Sequence, residues 1–267
     1  TDTLPDAKLT LEVLDEITGL AFNPTRHPMA LKEPGVYFIN LPLPLGKTLR
    51  YRYLLEGETP AREFNPYGDQ IRYRLYQVDG PSINRDTIYS WDSRPYDGPV
   101  GRIFGSVRDS TTNAPVPNAI INICGITTVT ASTGSFILDR IPTGTHNLVI
   151  ITPTGAFTTF QQGVTVADQA STPVDVPLTP SAWVEITFTV KLPENTPNLP
   201  LRLIGNLPGL GVLFAEGKAG MGTLASRAPI VHRLPDGTHQ ITLTLPAGYS
   251  LEYKYSLGDG FWNGELN

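Results

Sequence analysis

The sequence predicts an all-β chain folded as three tandem β-sandwich domains, and three observations lead there. Gly and Pro number 25 each while charged residues are only 17%, a composition of short strands joined by many turns and not of helices. Apolar and polar residues alternate through much of the chain, and no stretch longer than a turn or two has helical periodicity. The third observation is internal repetition. Ile39, Leu41, Leu43, Pro44, Gly46, Leu49, Tyr51, Tyr53 and Leu55 recur at constant spacing as Ile241, Leu243, Leu245, Pro246, Gly248, Leu251, Tyr253, Tyr255 and Leu257. One supersecondary unit is therefore used twice.

Length and composition bound the answer. A chain of 267 residues with 40% hydrophobic content has room for two or three domains, each with its own core. A net charge of −5 without a basic stripe argues against nucleic acid or an anionic membrane as partner. The absence of a long apolar run argues against membrane insertion. Thr1 in place of Met, with no signal peptide, fits a trimmed protein that is secreted or displayed at the cell surface. The one cysteine, Cys124, has no internal disulfide partner, and it reads as a buried thiol at the end of the strand Ile121-Asn122-Ile123.

Three segments follow in order. The first covers residues 1–99 and ends in the turn-rich Trp91 to Pro99. Its repeated unit reads as a β-hairpin: alternation, a Pro-x-Gly turn, alternation again. Tyr51 and Tyr53 share a face with Leu49 and Leu55 and belong to the core. Arg50, Arg52, Arg72 and Arg74 then lie on the opposite face, solvated, ion-paired or docking an acidic partner. Ile71 to Trp91 supplies two further strands.

The second segment, residues 100–180, has its own pattern. Gly105-x-Val107-x-Asp109 is followed by Pro115-Val116, then Ala119-x-Ile121-x-Ile123, then Thr133-Gly134-x-Phe136-x-Leu138-x-x-Ile141-Pro142-x-Gly144. Leu148 to Ile151 and Val174 to Leu178 add strands. These residues resemble the carboxypeptidase regulatory-like domain, which implies a seven-stranded prealbumin-like sandwich. Such domains recur as spacers in secreted and surface proteins, and nothing in the chain resembles the zinc-binding catalytic domain of a carboxypeptidase.

The third segment, residues 181–267, ends in Leu251-Glu252-Tyr253-Lys254-Tyr255 and then Asp259-Gly260-Phe261-Trp262-Asn263. This end resembles the starch-binding domains attached to glucoamylases. By motif position the resemblance implies sugar contacts from Lys254, Trp262 and Asn267. Leu203-Ile204-Gly205-Asn206 is similar to the early strand of that family, without its downstream Trp-Asp. An aromatic face with amide and ammonium groups at its edge suits a pyranose. The first segment keeps the shape of this unit, Ig-like or starch-binding-like, with Arg52 in place of the Lys and no Trp.

Catalysis has little support in the sequence. His27, His146, His232 and His239 are scattered, carboxylates sit singly in turns, and no Asp-x-Asp-x-Asp run suggests calcium. The expectation is no enzyme activity, no cofactor and no metal. The third segment stops soon after its repeated unit, which predicts a sandwich without its closing strands and an open sheet edge. Two explanations compete for that edge: following residues of a longer protein finish the sandwich, or a neighbouring copy fills it with its N-terminal strand, around Ala7 to Leu14, giving a homo-oligomer or filament. The functional expectation is an extracellular structural or adhesive module array. Its alternative is the polysaccharide-binding accessory region of a larger secreted enzyme.

Overall fold

The computed structural model describes residues 7–14, 24–215, 220–223, 225–249 and 251–258. Among these the protein is built from strands, with two single-turn 3-10 helices, Pro208–Leu210 and Ala225–Arg227.

The first segment contains β1 (Leu9–Val13), β2 (Thr25–Pro28), β3 (Ala30–Glu33), β4 (Val36–Phe38), β5 (Thr48–Leu55), β6 (Ala61–Arg62) and β7 (Arg74–Gln77). Five of them form one sheet in the order β2-β1-β5-β6, with β7 beside the other half of the same β5 edge. β3 and β4 form a separate hairpin. The N-terminal strand expected to serve a neighbouring copy is instead an interior strand of its own sheet. β1 pairs with β2 on one side and β5 on the other, with Leu9 and Leu11 buried. Withdrawing it would break two ladders, so it is not a free donor. Between Ile71 and Trp91 only β7 is a strand, and Ser90 contributes an isolated bridge to Phe64.

The middle segment contains β8 (Val100–Asp109), β9 (Ile120–Ile123), β10 (Ile126–Val129), β11 (Ser135–Pro142), β12 (Gly144–Ile151), β13 (Phe160–Val166) and β14 (Ser171–Leu178). They form a sandwich of two sheets, β10-β9-β12-β13 and β11-β8-β14, with β14 parallel to β8. The seven strands are those implied by the resemblance. Alternating residues Ile103, Val107, Ile121, Ile123, Phe136, Leu138, Leu148, Ile150, Val174 and Val176 fill the space between the sheets. Gly134 turns β10 into β11 at φ +74°, and a Cβ there would stand 2.4 Å from the Val107 carbonyl oxygen, so the Thr133-Gly134 turn demands glycine.

The third segment contains β15 (Trp183–Val190), β16 (Leu201–Gly205), β17 (Val212–Ala215), β18 (Gly220–Thr223), β19 (His232–Arg233), β20 (His239–Pro246) and β21 (Tyr253–Leu257). β15-β20-β19 faces β16-β21 across a core of Phe188, Leu201, Leu203, Leu207, Val231 and Leu245.

The repeated unit is an arch in both copies, not a hairpin. β20 pairs with β15 and β19 while β21 pairs with β16, so the chain crosses from one sheet to the other at Pro246-Ala247-Gly248. In the first copy Leu41 and Leu43 pack against Leu49, Tyr51 and Tyr53 without being strand. The turn glycines have φ +79° at Gly46 and +74° at Gly248. Strand register is identical in the two copies: Leu9, Leu11 and Val13 stand opposite Leu55, Tyr53 and Tyr51, and Leu201, Leu203 and Gly205 stand opposite Leu257, Tyr255 and Tyr253.

Candidate functional site

The segments meet one another at two kinds of contact. The outer edge of β7 lies against the middle segment, and amide side chains close it. Asn122 Oδ1 accepts from the Leu75 N–H at 3.1 Å, and its Nδ2 donates to the Tyr73 carbonyl at 3.3 Å. Gln161 does the same for Gln77. Residues 73, 75 and 77 alternate along the strand, so these are the backbone groups that point away from β5. Beside them Tyr73 and Leu75 pack on Ile120, Val149 and Ile151. Val149 is thus buried against the first segment while Leu148 and Ile150 face the middle core, which explains the unbroken apolar run of β12.

The second contact joins first and third segments. The two repeated turns meet: a Cβ on Gly46 would lie 3.5 Å from the Gly248 carbonyl oxygen, and Lys47 Nζ lies 2.9 Å from Glu252 Oε1. Asn206 fixes Glu252 by accepting from its N–H at 3.1 Å and donating its own N–H to the Glu252 carbonyl at 3.0 Å. The segments are therefore not beads in a line, because the first touches the third as well as the middle. A cavity of about 260 Å³ opens where all three converge, lined among others by Thr48, Arg50, Thr159, Asn206 and Tyr249. Thr48 Oγ1 donates to Gln77 Oε1 at 2.7 Å and lies 3.3 Å from Thr159 Oγ1, so the floor hydroxyls already serve the joint.

Among the described residues a dense set of ionisable groups lies inside the first segment. Arg74 Nη2 is 2.8 Å from Glu63 Oε2 and its Nη1 is 3.3 Å from Asp86 Oδ1. Asp86 Oδ2 also accepts from the hydroxyls of Tyr51 at 2.6 Å and Tyr53 at 3.0 Å, and from Asn84 Nδ2 at 2.9 Å. Burial opposes the charge on Arg74, but Glu63 and Asp86 outweigh it and raise its pKa well above the ordinary value. Burial, with Asp86 second, pushes both tyrosine hydroxyls well above their ordinary pKa. Every member is committed to another, which is the condition for a buried ionic network to hold a fold.

The arginines therefore do not form an exposed docking face. Arg50, Arg52 and Arg74 are buried, and Arg52 Nε meets Glu12 Oε2 at 2.5 Å on the outer face of the sheet. Arg74 turns inward, its guanidinium 5.7 Å from the centre of the Tyr53 ring. Sequence reasoning missed Glu63 and Asp86, whose signal is weak because they lie far along the chain from the tyrosines they serve. Of the three residues matched to sugar contacts, Lys254 is on β21 opposite Ile204, partly exposed. Trp262 and Asn267 lie outside the described residues. Among the described residues no three or more His, Cys, Asp or Glu gather as metal ligands, and no helix is long and apolar enough to cross a membrane.

Comparison with known proteins agrees with the middle sandwich. Residues 102–179 match the model of the carboxypeptidase regulatory-like domain. No curated protein matches the sequence. Solved structures with similarity include a streptococcal ancillary pilin, at 12% identity over 97% of this chain and 84% of that one, with a TM-score of 0.34. A candidate carbohydrate-binding protein from Bacteroides uniformis is 17% identical over 64% of this chain and 92% of its own, with a TM-score of 0.26. The Bacillus anthracis TIE protein is 12% identical over 96% of this chain and 46% of its own, with a TM-score of 0.25. At these scores whole chains do not superpose, and no function is carried across from them. The fold and the matched domain define the class: an all-β chain of sandwich units that includes a carboxypeptidase regulatory-like domain.

Proposed function

We propose that this chain is a non-catalytic module array with a structural or adhesive role, working in an extracellular or surface assembly, in three units bounded near residues 99 and 180. The observation that carries the reading is the closure of the β7 edge by Asn122 and Gln161. A flexible tether leaves neighbouring domains free to reorient, whereas this joint spends buried amides on one fixed arrangement. The buried Arg74 and Glu63, with Asp86, are tied to one another and to the tyrosine hydroxyls by ion pairs and hydrogen bonds, an arrangement that suits a scaffold. Nuclear spin relaxation is the test: one rotational correlation time for all three units is expected. Separate correlation times would overturn the reading.

A glycan-binding role is a second reading, supported by the partial exposure of Lys254 on β21, the residue that the starch-binding resemblance matches to a sugar contact. Retention on insoluble starch that is lost in Trp262→Ala and Lys254→Ala supports it. Absence of retention rejects it.

A further inference from the structure

Trp183 opens β15 on the outer face of the third segment. Phe188 of β15 and Leu245 of β20 face the core, so the residues that alternate with them on the two strands face out. Trp183 is 50% exposed. A tryptophan normally spends its large apolar surface on a core, and Trp91, the other tryptophan among the described residues, does so in the first segment. The backbone on either side of Trp183 is clamped. The Ser181 N–H donates to the Ala156 carbonyl at 2.9 Å, and the Ala247 N–H donates to the Ala182 carbonyl at 2.7 Å. The ring is thus held in place at the junction with the middle segment.

A track of polar groups runs away from Trp183 along the same face. Glu185, Thr187 and Thr189 follow it on β15 and are exposed, with Thr242 opposite Thr187 and Gln240 opposite Thr189 on β20. The hydroxyls of Thr187 and Thr242 lie 2.8 Å apart, and Gln240 Nε2 donates to Thr189 Oγ1 at 3.2 Å. These pairs fix the side chains while leaving hydroxyl lone pairs and the Gln240 amide oxygen open to a ligand. Six residues of strand separate Trp183 from Thr189, a track of roughly 20 Å. Its composition selects the occupant. No Lys or Arg stands among the outward residues of this strand pair, which disfavours an acidic polymer. Trp183 alone among them is a large exposed hydrophobic, too little apolar surface for a protein interface. One aromatic plane followed by hydroxyl, amide and carboxylate groups suits a chain of neutral sugars: a pyranose lays its C–H face on the ring, and its hydroxyls find donors and acceptors beyond.

We infer that the outer face of β15 and β20 binds a neutral, extended polysaccharide, with Trp183 stacked under one pyranose ring and Glu185, Thr187, Thr189 and Gln240 hydrogen-bonded to the sugars that follow. The track is straight and its groups lie on one face, so it fits a ribbon-like β-linked chain and not a coiled α-glucan. This site is separate from the one that contains Lys254, which lies on β21 in the other sheet of the sandwich. The inference rests on the adhesive side of the proposed role and deepens it by naming what the array adheres to.

The test is native electrophoresis of the full chain through gels that contain hydroxyethylcellulose, galactomannan or glycogen. Retardation by the first two is expected, lost in Trp183→Ala and partly kept in Trp183→Phe, which preserves an aromatic plane. Thr187→Val weakens it roughly twofold to tenfold, the scale of one hydrogen bond. Ile137→Ser, which removes an exposed apolar side chain from the middle segment, leaves it unchanged, and circular dichroism reports whether each variant folds. No retardation by either β-linked polymer, retardation by glycogen alone, or retardation that survives in folded Trp183→Ala overturns the inference. An oligomer that Trp183→Ala converts to monomer in the ultracentrifuge, with no polysaccharide bound, assigns the face to a contact between copies and also overturns it. The two readings fail separately. Absent retardation with a single correlation time overturns only the polysaccharide site, and separate correlation times with Trp183-dependent retardation overturn only the rigid array.

Discussion

The side chain of Gln161 meets both backbone groups of Gln77: Oε1 accepts from the N–H at 2.8 Å and Nε2 donates to the carbonyl at 3.1 Å. A side-chain amide has the donor and acceptor spacing of a peptide group, so Gln161 stands where a paired strand residue would stand. With Asn122 it replaces a whole strand along β7 and removes the exposed ladder that edge strands otherwise present.

Asn122→Leu leaves the Leu75 N–H and the Tyr73 carbonyl buried without their partner. A loss of about 1–3 kcal/mol for each stranded group is the expected scale, read as a lower denaturation midpoint in urea. Amide exchange locates the effect: Leu75 should lose protection while Ile121, inside the middle core, keeps it.

Arg74→Met strips Glu63 and Asp86 of their counter-charge inside the first unit. Breaking a buried pair from one side costs about 3–5 kcal/mol. The double change Arg74→Met with Glu63→Gln restores part of that loss, since fewer unbalanced charges remain. Equal losses in single and double variants would show that Arg74 acts by packing on Tyr53 alone.

His146 gives the middle unit a pH dependence of known sign. Burial lowers its pKa from 6.5, partly countered by the Pro142 carbonyl 2.6 Å from Nε2. The unfolded chain therefore takes up a proton before the folded one does. This contribution to stability is fully present above the unfolded value near 6.5 and is lost as pH falls through the lower folded value. Thermal melts from pH 7.5 downward should show the decline, and His146→Gln should flatten it over the upper part of that range.

Cys124 is expected to be inert in the native state. Burial pushes its thiol up to about 12, so almost none is thiolate at pH 8. Thiol reagents should label it only as fast as the chain unfolds, and prompt labelling of folded protein would contradict the burial.

The parts of this structure that the sequence made legible are those with local causes. Gly134, Pro142 and the alternation between them specify β11 wherever it sits, and the repeat from Ile39 to Leu55 signals a reused unit without any knowledge of the fold. Alternation does not say what the buried face meets. Leu243 and Tyr255 alternate equally well in a hairpin and in an arch, so the crossing between sheets could not be read. The same period puts Arg74 outward, because polar residues normally take the solvent face. Its inward turn depends on Glu63 and Asp86, which adjacent residues do not announce. The role of Asn122 was equally hidden, since a polar residue inside an apolar strand shows its purpose only when a second segment lies against it.

The meeting of Lys47 and Glu252 gives the molecule a mechanical order of failure. A pull on its two ends first loads this half-exposed ion pair and the turn contact beside it, which together resist little force compared with the ladders of β1-β5 or β8-β14. The arrangement should thus extend in a low-force step as the outer units part while the middle one stays intact, lengthening before any sandwich tears.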